Sequence, residues 1–330
     1  MKLCTFEVAT AVGPVARIGM VTGGGHIVDL NFATAITLVE KTGRRRAQAL
    51  ADALVPADMI AYIENGAVGR ENFQATLAHL GKGADDTAVR GLRGERVVWK
   101  PDEIRLLAPI PRPRSIRDAL CFELHYKNAL KGAPIPPVWY EIPLYYKGNP
   151  NTVQGTGSVV KWPAYTEMLD YELELGAVIG TEGVNLSPDE AWKHIFGYTI
   201  FNDVSARDIQ MKEMSGWLGP TKGKDMDGGN LMGPYIVTAD EWDPRAGHEM
   251  TARVNGERWG GGTSKSMYHD FGKVVSYISR DETIVPGDVV GSGTVGTGCG
   301  LELDRYPKSG DLIELEVEGL GTLAMRYVKP

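Results

Sequence analysis

Apolar and polar positions change their rhythm twice along the chain. Up to about residue 35 they form short strands between glycine turns: Ala16–Thr22, a break at Gly23–Gly25, then His26–Leu30. From Arg45 to Leu80 the Ala and Leu spacing turns helical, interrupted near Pro56 and Gly66. The stretch Ala108–Arg114 carries Pro109, Pro111 and Pro113, which neither a helix nor a central strand accommodates. A division there predicts an N-terminal domain of short strands plus helices, residues 1–107, and a larger domain, residues 108–330. Beyond it, runs such as Pro286–Val290 and Asp311–Val317 read as strands, with helices predicted over Ile116–Leu130, Pro188–Ile195 and Met267–Ser279. Strands dominate without regular alternation with helices, which argues against a doubly wound parallel sheet. The chain contains no internal repeat and no low-complexity tract.

One strand-like run departs from ordinary patterning. In Leu169–Gly176 the alternate positions Glu172 and Glu174 share one face, while Tyr171, Leu173 and Leu175 take the other. Two anions at that spacing repel unless a cation or a shared proton compensates, so the pair is a candidate for hard-metal coordination.

Composition narrows the setting. The chain has 330 residues, enough to bury a core, and its 43% hydrophobic and 23% charged content is ordinary for a globular protein. A net charge of -7 gives no basic footprint for nucleic acid, and Arg44–Arg46 reads as a solvated helix start. Cys4, Cys121 and Cys299 are scattered without C-x-x-C spacing, which argues against a disulfide framework or a zinc site. Gly and Pro interrupt every hydrophobic stretch before a span of ~18 residues, and no basic leader precedes an apolar core. The expectation is a cytoplasmic chain with neither membrane nor nucleic acid as partner.

Three further clusters carry chemistry. Asp118 and His125 stand seven positions apart, two turns on one face if the predicted helix over Ile116–Leu130 forms. The run Phe201–Gln210 follows an apolar strand and releases Asp203, Arg207 and Gln210 either over a pocket or into a helix capped by Asp203 or Ser205. Within Gly291–Gly300 the positions of Gly291, Gly293 and Gly296 match G-x-G-x-x-G, but no helix pattern follows, so a dinucleotide site is disfavoured and close backbone approach to a small ligand is favoured. Gly219–Lys224 lacks Walker spacing; Lys222 and Lys224 are solvated by default, or one of them offsets the carboxylates.

The order and spacing of these clusters resemble the fumarylacetoacetate hydrolase family over nearly the whole chain, most closely from Arg117 to Tyr327. The resemblance rests on Asp118 with His125, on Asp170–Leu175 before Val178-Ile-Gly180, and on Phe201–Gln210. Lys224 ahead of Gly233-Pro234, Val254-Asn-Gly256, and Pro286-Gly-Asp288 ahead of Gly293-Thr294 extend it. It implies an α+β, β-rich fold, a mixed β-sandwich roll with a small β-rich N-terminal domain. It implies four metal ligands, Asp118, Glu172, Glu174 and Asp203, for a divalent cation, Mg²⁺ first, with Mn²⁺ or Ca²⁺ as alternatives. It assigns His125 to activating water, Glu302 to orienting His125, Arg207, Gln210 and Lys224 to stabilising an oxyanion, and Tyr146 and Thr294 to holding substrate. It also implies a homodimer.

Two positions depart from the family pattern. Asn128 stands where many smaller members carry the glutamate partner of the histidine, so the water-activating role depends on Glu302 reaching His125. The segment Ala133–Trp139 lacks the basic position that meets a far carboxylate, which leaves the distal end of the substrate open. The activity expected from the resemblance is metal-dependent hydrolysis of a C–C bond in a β-diketo acid of the acylpyruvate type, in aromatic compound catabolism. Decarboxylation, isomerisation or hydration of a 2-oxo acid through the same metal-held enolate is the alternative. More distant rivals are a dehydratase with a Schiff base on Lys224 and a binding module without turnover.

Overall fold

The computed structural model describes residues 1–330. The strands β1 (Lys2–Thr10) and β2 (Gly13–Val21) form a hairpin, and β3 (Ile27–Asp29) pairs with β2. Asp29 then caps α1 (Leu30–Thr42), its carboxylate accepting from the Phe32 N–H, and Gly43 at φ 73° ends the helix. This helix replaces the tail of the expected strand region. The helical spacing that follows becomes α2 (Arg44–Leu54), α3 (Met59–Glu64) and α4 (Gly66–Leu80), with its breaks at Pro56 and Gly66.

After β4 (Val98–Trp99), β5 (Arg105–Leu106) and the proline-rich stretch comes a correction. Ile116–Leu130 is not one helix; it is a strand, β6 (Ile116–Ala119), and a separate helix, α5 (Glu123–Ala129). All four residues of β6 are buried: Ala119 faces the core shared with the smaller sheet and Ile116 the core on the other side, and a strand covered on both faces loses the alternation that marks it.

The chain continues through α6 (Val138–Glu141), β7 (Tyr145–Gly148), β8 (Val153–Gln154), β9 (Ser158–Lys161), β10 (Leu169–Asp170) and β11 (Leu173–Ile179). Next come α7 (Pro188–Ala191), β12 (Ile195–Asp203), β13 (Ser205–Ala206), α8 (Arg207–Ser215), β14 (Asn230–Thr238), β15 (Glu249–Val254) and β16 (Glu257–Thr263). The last elements are α9 (Phe271–Ile278), β17 (Val289–Gly291), α10 (Gly300–Leu303), β18 (Leu312–Val317) and β19 (Gly321–Val328).

A mixed sheet runs β4-β3-β2-β1-β14-β12-β11-β17-β6-β7, and a five-stranded sheet runs β16-β15-β18-β19-β9. The fold is α+β and sheet-rich, with no closed barrel. Leu173, Leu175 and Ile179 of β11 and Ile200 of β12 meet Met250, Ile313, Leu315 and Leu323 of the smaller sheet in one apolar layer. On the opposite face Val178, Phe201, Val289 and Ile116 join Val55, Tyr62, Ile63 and Phe73 in a second core. No helix is long and apolar enough to cross a membrane.

That second face positions the site. β11 runs antiparallel to β12 and β17, and β17 runs parallel to β6, so the start of β11 lies beside the ends of the other three. Glu174 pairs with Phe201, Gly291 with Asp118, and Asp118 with Tyr146. By strand alternation Asp118, Tyr146, Glu174 and Asp203 extend the face of Ile116, Val178 and Phe201 past the end of that core.

Candidate active site

Four carboxylates converge at this end of the sheet: Asp118, Glu172, Glu174 and Asp203, each buried, offer oxygens that all lie within 4.8 Å of one another. Tyr171 interrupts the expected continuous strand, and Glu172 forms a single bridge with Cys299. The alternation nevertheless holds, with Tyr171, Leu173 and Leu175 in the apolar layer. The glycines of the 291–300 segment serve the carboxylates. The Gly293 N–H donates to Glu174 Oε2 at 3.0 Å and to Asp118 Oδ1 at 3.2 Å, and a Cβ on Gly291 would sit 2.2 Å from Asp118 Oδ1. Only glycine permits that approach.

Two cations stand among these anions. Lys224 Nζ donates to Glu172 Oε2 at 2.5 Å and to Asp203 Oδ2, and Tyr146 Oη donates to the same Asp203 oxygen at 2.7 Å. Arg207 spans Asp170 and Glu172, with Nε 2.8 Å from Asp170 Oδ2 and an Nη 2.7 Å from Glu172 Oε1, and donates to Gln210 Oε1 at 3.0 Å. Thr294 Oγ1 lies 3.4 Å from Glu174 Oε1. Asp203 ends its strand and is not a cap; α8 begins after Ala206 without a side-chain cap, so the residues of this run reach the pocket.

The charge balance is unfavourable without a further cation. Asp118, Asp170, Glu172, Glu174 and Asp203 face only Arg207 and Lys224. Burial raises the Asp118 pKa, and burial together with the Asp118 and Glu172 charges pushes Glu174 well above the usual carboxylate range. Burial pushes Asp203 up as well, despite Lys224. Glu172 is the exception: burial opposes its ionisation, but Arg207 and Lys224 hold its pKa well below the usual range. Burial disfavours the Lys224 charge too, yet Asp203 and Glu172 keep it an ammonium. Asp203 Oδ1 is buried without a hydrogen-bond partner. An all-carboxylate cluster with excess negative charge and an orphaned oxygen fits a hard divalent cation.

Beside the cluster is a dyad. His125 sits on α5, and its Nδ1 lies 2.8 Å from Oε1 of Glu302 on α10. An ionised carboxylate only accepts, so Nδ1 carries the proton and Nε2 the lone pair. Glu302 is fully buried and held by three further donors: Asn128 Nδ2 and the Thr297 N–H, each 2.8 Å from Oε2, and the Cys299 thiol, 3.5 Å from Oε1. Asn128 therefore does not weaken the dyad; it braces the glutamate. Asp118 and His125 do meet in one pocket, but from the end of β6 and from α5 instead of from one helix face.

Asp118, His125, Tyr146, Glu172, Glu174, Arg207, Gln210, Lys224 and Thr294 line one cavity of about 520 Å³, with Asp203 and Glu302 directly behind them. Lys222 remains exposed. Sequence reasoning did not single out Asp170, which neutralises Arg207 and accepts from the Gly300 and Leu301 N–H groups at the start of α10. Its signal was its place directly ahead of the glutamate pair. Cys299, packed against Glu302 and His125, had no signal beyond the surrounding glycines.

Residues 114–328 match the profile described as fumarylacetoacetate (FAA) hydrolase C-terminal, well over half of the chain. The chain belongs to the fumarylacetoacetate hydrolase family. A relative from Bacillus subtilis, named an oxaloacetate tautomerase, is 33% identical over 69% of this chain and 74% of its own length. A mitochondrial oxaloacetate tautomerase of Homo sapiens is 28% identical over 99% of this chain and 92% of its own. Among solved structures, a fumarylacetoacetate hydrolase from Exiguobacterium antarcticum superposes with a TM-score of 0.71 at 27% identity, covering 99% of this chain and 100% of that one. These relatives correct the expected activity. The assignment as a C–C hydrolase is overturned, since the curated relatives of Bacillus subtilis, Homo sapiens and Xenopus laevis are named oxaloacetate tautomerases, a class of isomerase.

Proposed function

We propose that this chain is a divalent-cation-dependent isomerase that interconverts the keto and enol forms of a 2-oxo acid. The observation that carries the reading is the His125–Glu302 pair opening on the same cavity as the four carboxylates. The names of the tautomerase relatives support it.

Asp118, Glu172, Glu174 and Asp203 would hold the cation, Mg²⁺ or its substitutes Mn²⁺ and Ca²⁺. When bound, it supplies Lewis-acid polarisation of a 2-oxo group and an anchor for the adjacent carboxylate. His125 Nε2 takes the proton from C3 of the keto form and passes it to the 2-oxygen to complete the enol; in the reverse direction it takes the enol O–H proton and delivers it to C3. Glu302 keeps Nδ1 protonated throughout and stabilises the imidazolium that forms in between. Lys224, an ammonium fixed by Glu172 and Asp203, places positive charge in the cavity where the oxygen gains negative charge. Arg207 locks Glu172 in place and Gln210 with it. Carrying one proton between C3 and the 2-oxygen needs a single base with a fixed tautomer, and the dyad provides one.

The test is exchange of C3 hydrogen for deuterium in a panel of 2-oxo acids that includes oxaloacetate and phenylpyruvate, followed by proton NMR with Mg²⁺ and with chelator. Cation-dependent exchange above the rate with Mg²⁺ alone is expected. Exchange no faster than with Mg²⁺ alone across the panel would sink the proposal.

A further inference from the structure

The cavity is charged at its floor and apolar toward its mouth. Asp118, Glu172, Glu174, Arg207 and Lys224 lie at one end, and Tyr126, Leu130, Leu144, Met211, Met214 and Pro220 line the rest. Apart from the His125 ring, Arg207 and Lys224 are the only cationic side chains on the wall, and both are committed: Arg207 to Asp170 and Glu172, Lys224 to Glu172 and Asp203. Lys131, whose helix end borders the cavity at Leu130, is turned away and held by Asp304 and the Leu301 carbonyl. The segment that carries two of these apolar residues is itself exposed. Met211 and Met214 are 52% and 57% exposed, and Trp217 and Leu218 on the following loop are 97% and 84% exposed.

We infer that the substrate is a 2-oxo monocarboxylic acid with an apolar group on C3, and that the outer wall excludes a second carboxylate. This inference rests on the tautomerase reading and names its substrate class. A first carboxylate and the 2-oxo group occupy the charged floor. A dicarboxylate such as oxaloacetate brings a second anion into a cavity whose two fixed cations are already paired and whose other donors, such as Gln210 and Tyr126, carry no charge, and it leaves Leu130, Met211 and Met214 uncovered. An aryl or branched alkyl group at the same carbon gains apolar contact there, and methionines at the rim adapt to its shape. The volume of about 520 Å³ exceeds what a four-carbon acid fills and lies within the range of pockets for larger ligands.

The experiment compares phenylpyruvate with oxaloacetate on the Mn²⁺-loaded enzyme, following enol absorbance to obtain kcat/KM for each. Phenylpyruvate is expected to be favoured by about tenfold or more, the scale on which an apolar pocket discriminates. A ratio of one, or a preference for oxaloacetate, overturns the inference and leaves the tautomerase reading standing. If neither acid tautomerises faster than with Mn²⁺ alone, the tautomerase reading fails. The inference is then decided by calorimetric binding of the two acids to the Mn²⁺-loaded protein, where tighter phenylpyruvate binding upholds it and tighter or equal oxaloacetate binding removes it. Leu130→Arg adds a cation to the wall and is expected to move the ratio toward oxaloacetate; an unchanged ratio in the folded variant also counts against the inference.

Discussion

Replacing Glu302 by Gln isolates the proposed proton-transfer step from the rest of the site. In the native side chain Oε1 accepts from His125 Nδ1 and Oε2 accepts from Asn128 Nδ2 and the Thr297 N–H. The Thr297 amide is an obligate donor, so the glutamine oxygen stays on that side, and the Asn128 bond survives with it. The glutamine NH₂ then takes the Oε1 position and faces His125 as a donor. To accept from it, the imidazole must deprotonate Nδ1 and carry its proton on Nε2, the atom meant to receive the proton from C3. The base is present, correctly placed and in the wrong tautomer. Stability changes little, by about 1 kcal/mol or less, because the Asn128 and Thr297 donors keep their acceptor and only the weak Cys299 thiol contact at 3.5 Å loses its own. The loss of kcat should be roughly 10²–10⁴-fold, or about 3–5 kcal/mol of barrier. The assay is C3 deuterium exchange with the Mn²⁺-loaded variant, alongside calorimetric Mn²⁺ affinity and thermal unfolding. A folded E302Q protein with native Mn²⁺ affinity and exchange within threefold of the original would refute the tautomer argument.

Four other outcomes follow from the same geometry. Gly291→Ala should weaken Mn²⁺ binding by about tenfold or more, because the new methyl displaces Asp118; unchanged calorimetric affinity would separate Asp118 from the metal. Arg207→Lys should destabilise the fold by about 3 kcal/mol in urea denaturation, since one ammonium cannot span Asp170 and Glu172, and a midpoint equal to the original protein's would contradict this. Chelation should abolish turnover and lower Tm, with re-addition of Mg²⁺ or Mn²⁺ restoring both. The stabilising effect of the cation should also grow with pH. Asp118, Glu174 and Asp203 have raised pKa values in the metal-free fold, so their contribution favours the fold at low pH and is lost as pH rises through those values. Glu172, which is lowered, acts in the opposite sense. Because Mn²⁺ takes the ionised carboxylates, the Tm rise on adding Mn²⁺ should grow as pH rises, and an equal or smaller rise at the higher pH would speak against it.

Much of this site was legible in the chain because the chemistry sits on local patterns. Glu172 and Glu174 announce themselves by alternation alone, and Asp203, Arg207 and Gln210 follow one apolar strand. What stayed hidden depended on distant partners. The strand Ile116–Ala119 read as helix because a core lies against each of its faces, and burial on two faces erases the period of two. The helix Leu30–Thr42 had its signals, Asp29 at the start and Gly43 at the end, but the strand before it runs directly into the cap. The pairing of His125 with Glu302 spans 177 residues and no local rule reaches it; only the resemblance to a family did. The distal end of the cavity could not be read at all, since its apolar wall draws on α5, α8 and the loop before Tyr145, none adjacent in sequence.

The pairing of β11 with β12 has a consequence for how the protein acquires its cation. With Leu173 opposite Asn202 and Glu174 opposite Phe201, a slip of one residue would turn both glutamates into the apolar layer and expose Leu173 and Leu175. The proposed ligands come from β6, the start of β11 and the end of β12, so no partial sheet contains the set. If these carboxylates hold the cation as proposed, cation loading is a readout of correct assembly: a chain with any of these strands misaligned would stay unloaded, and metal content would measure the fraction of molecules whose sheet has closed in the right register.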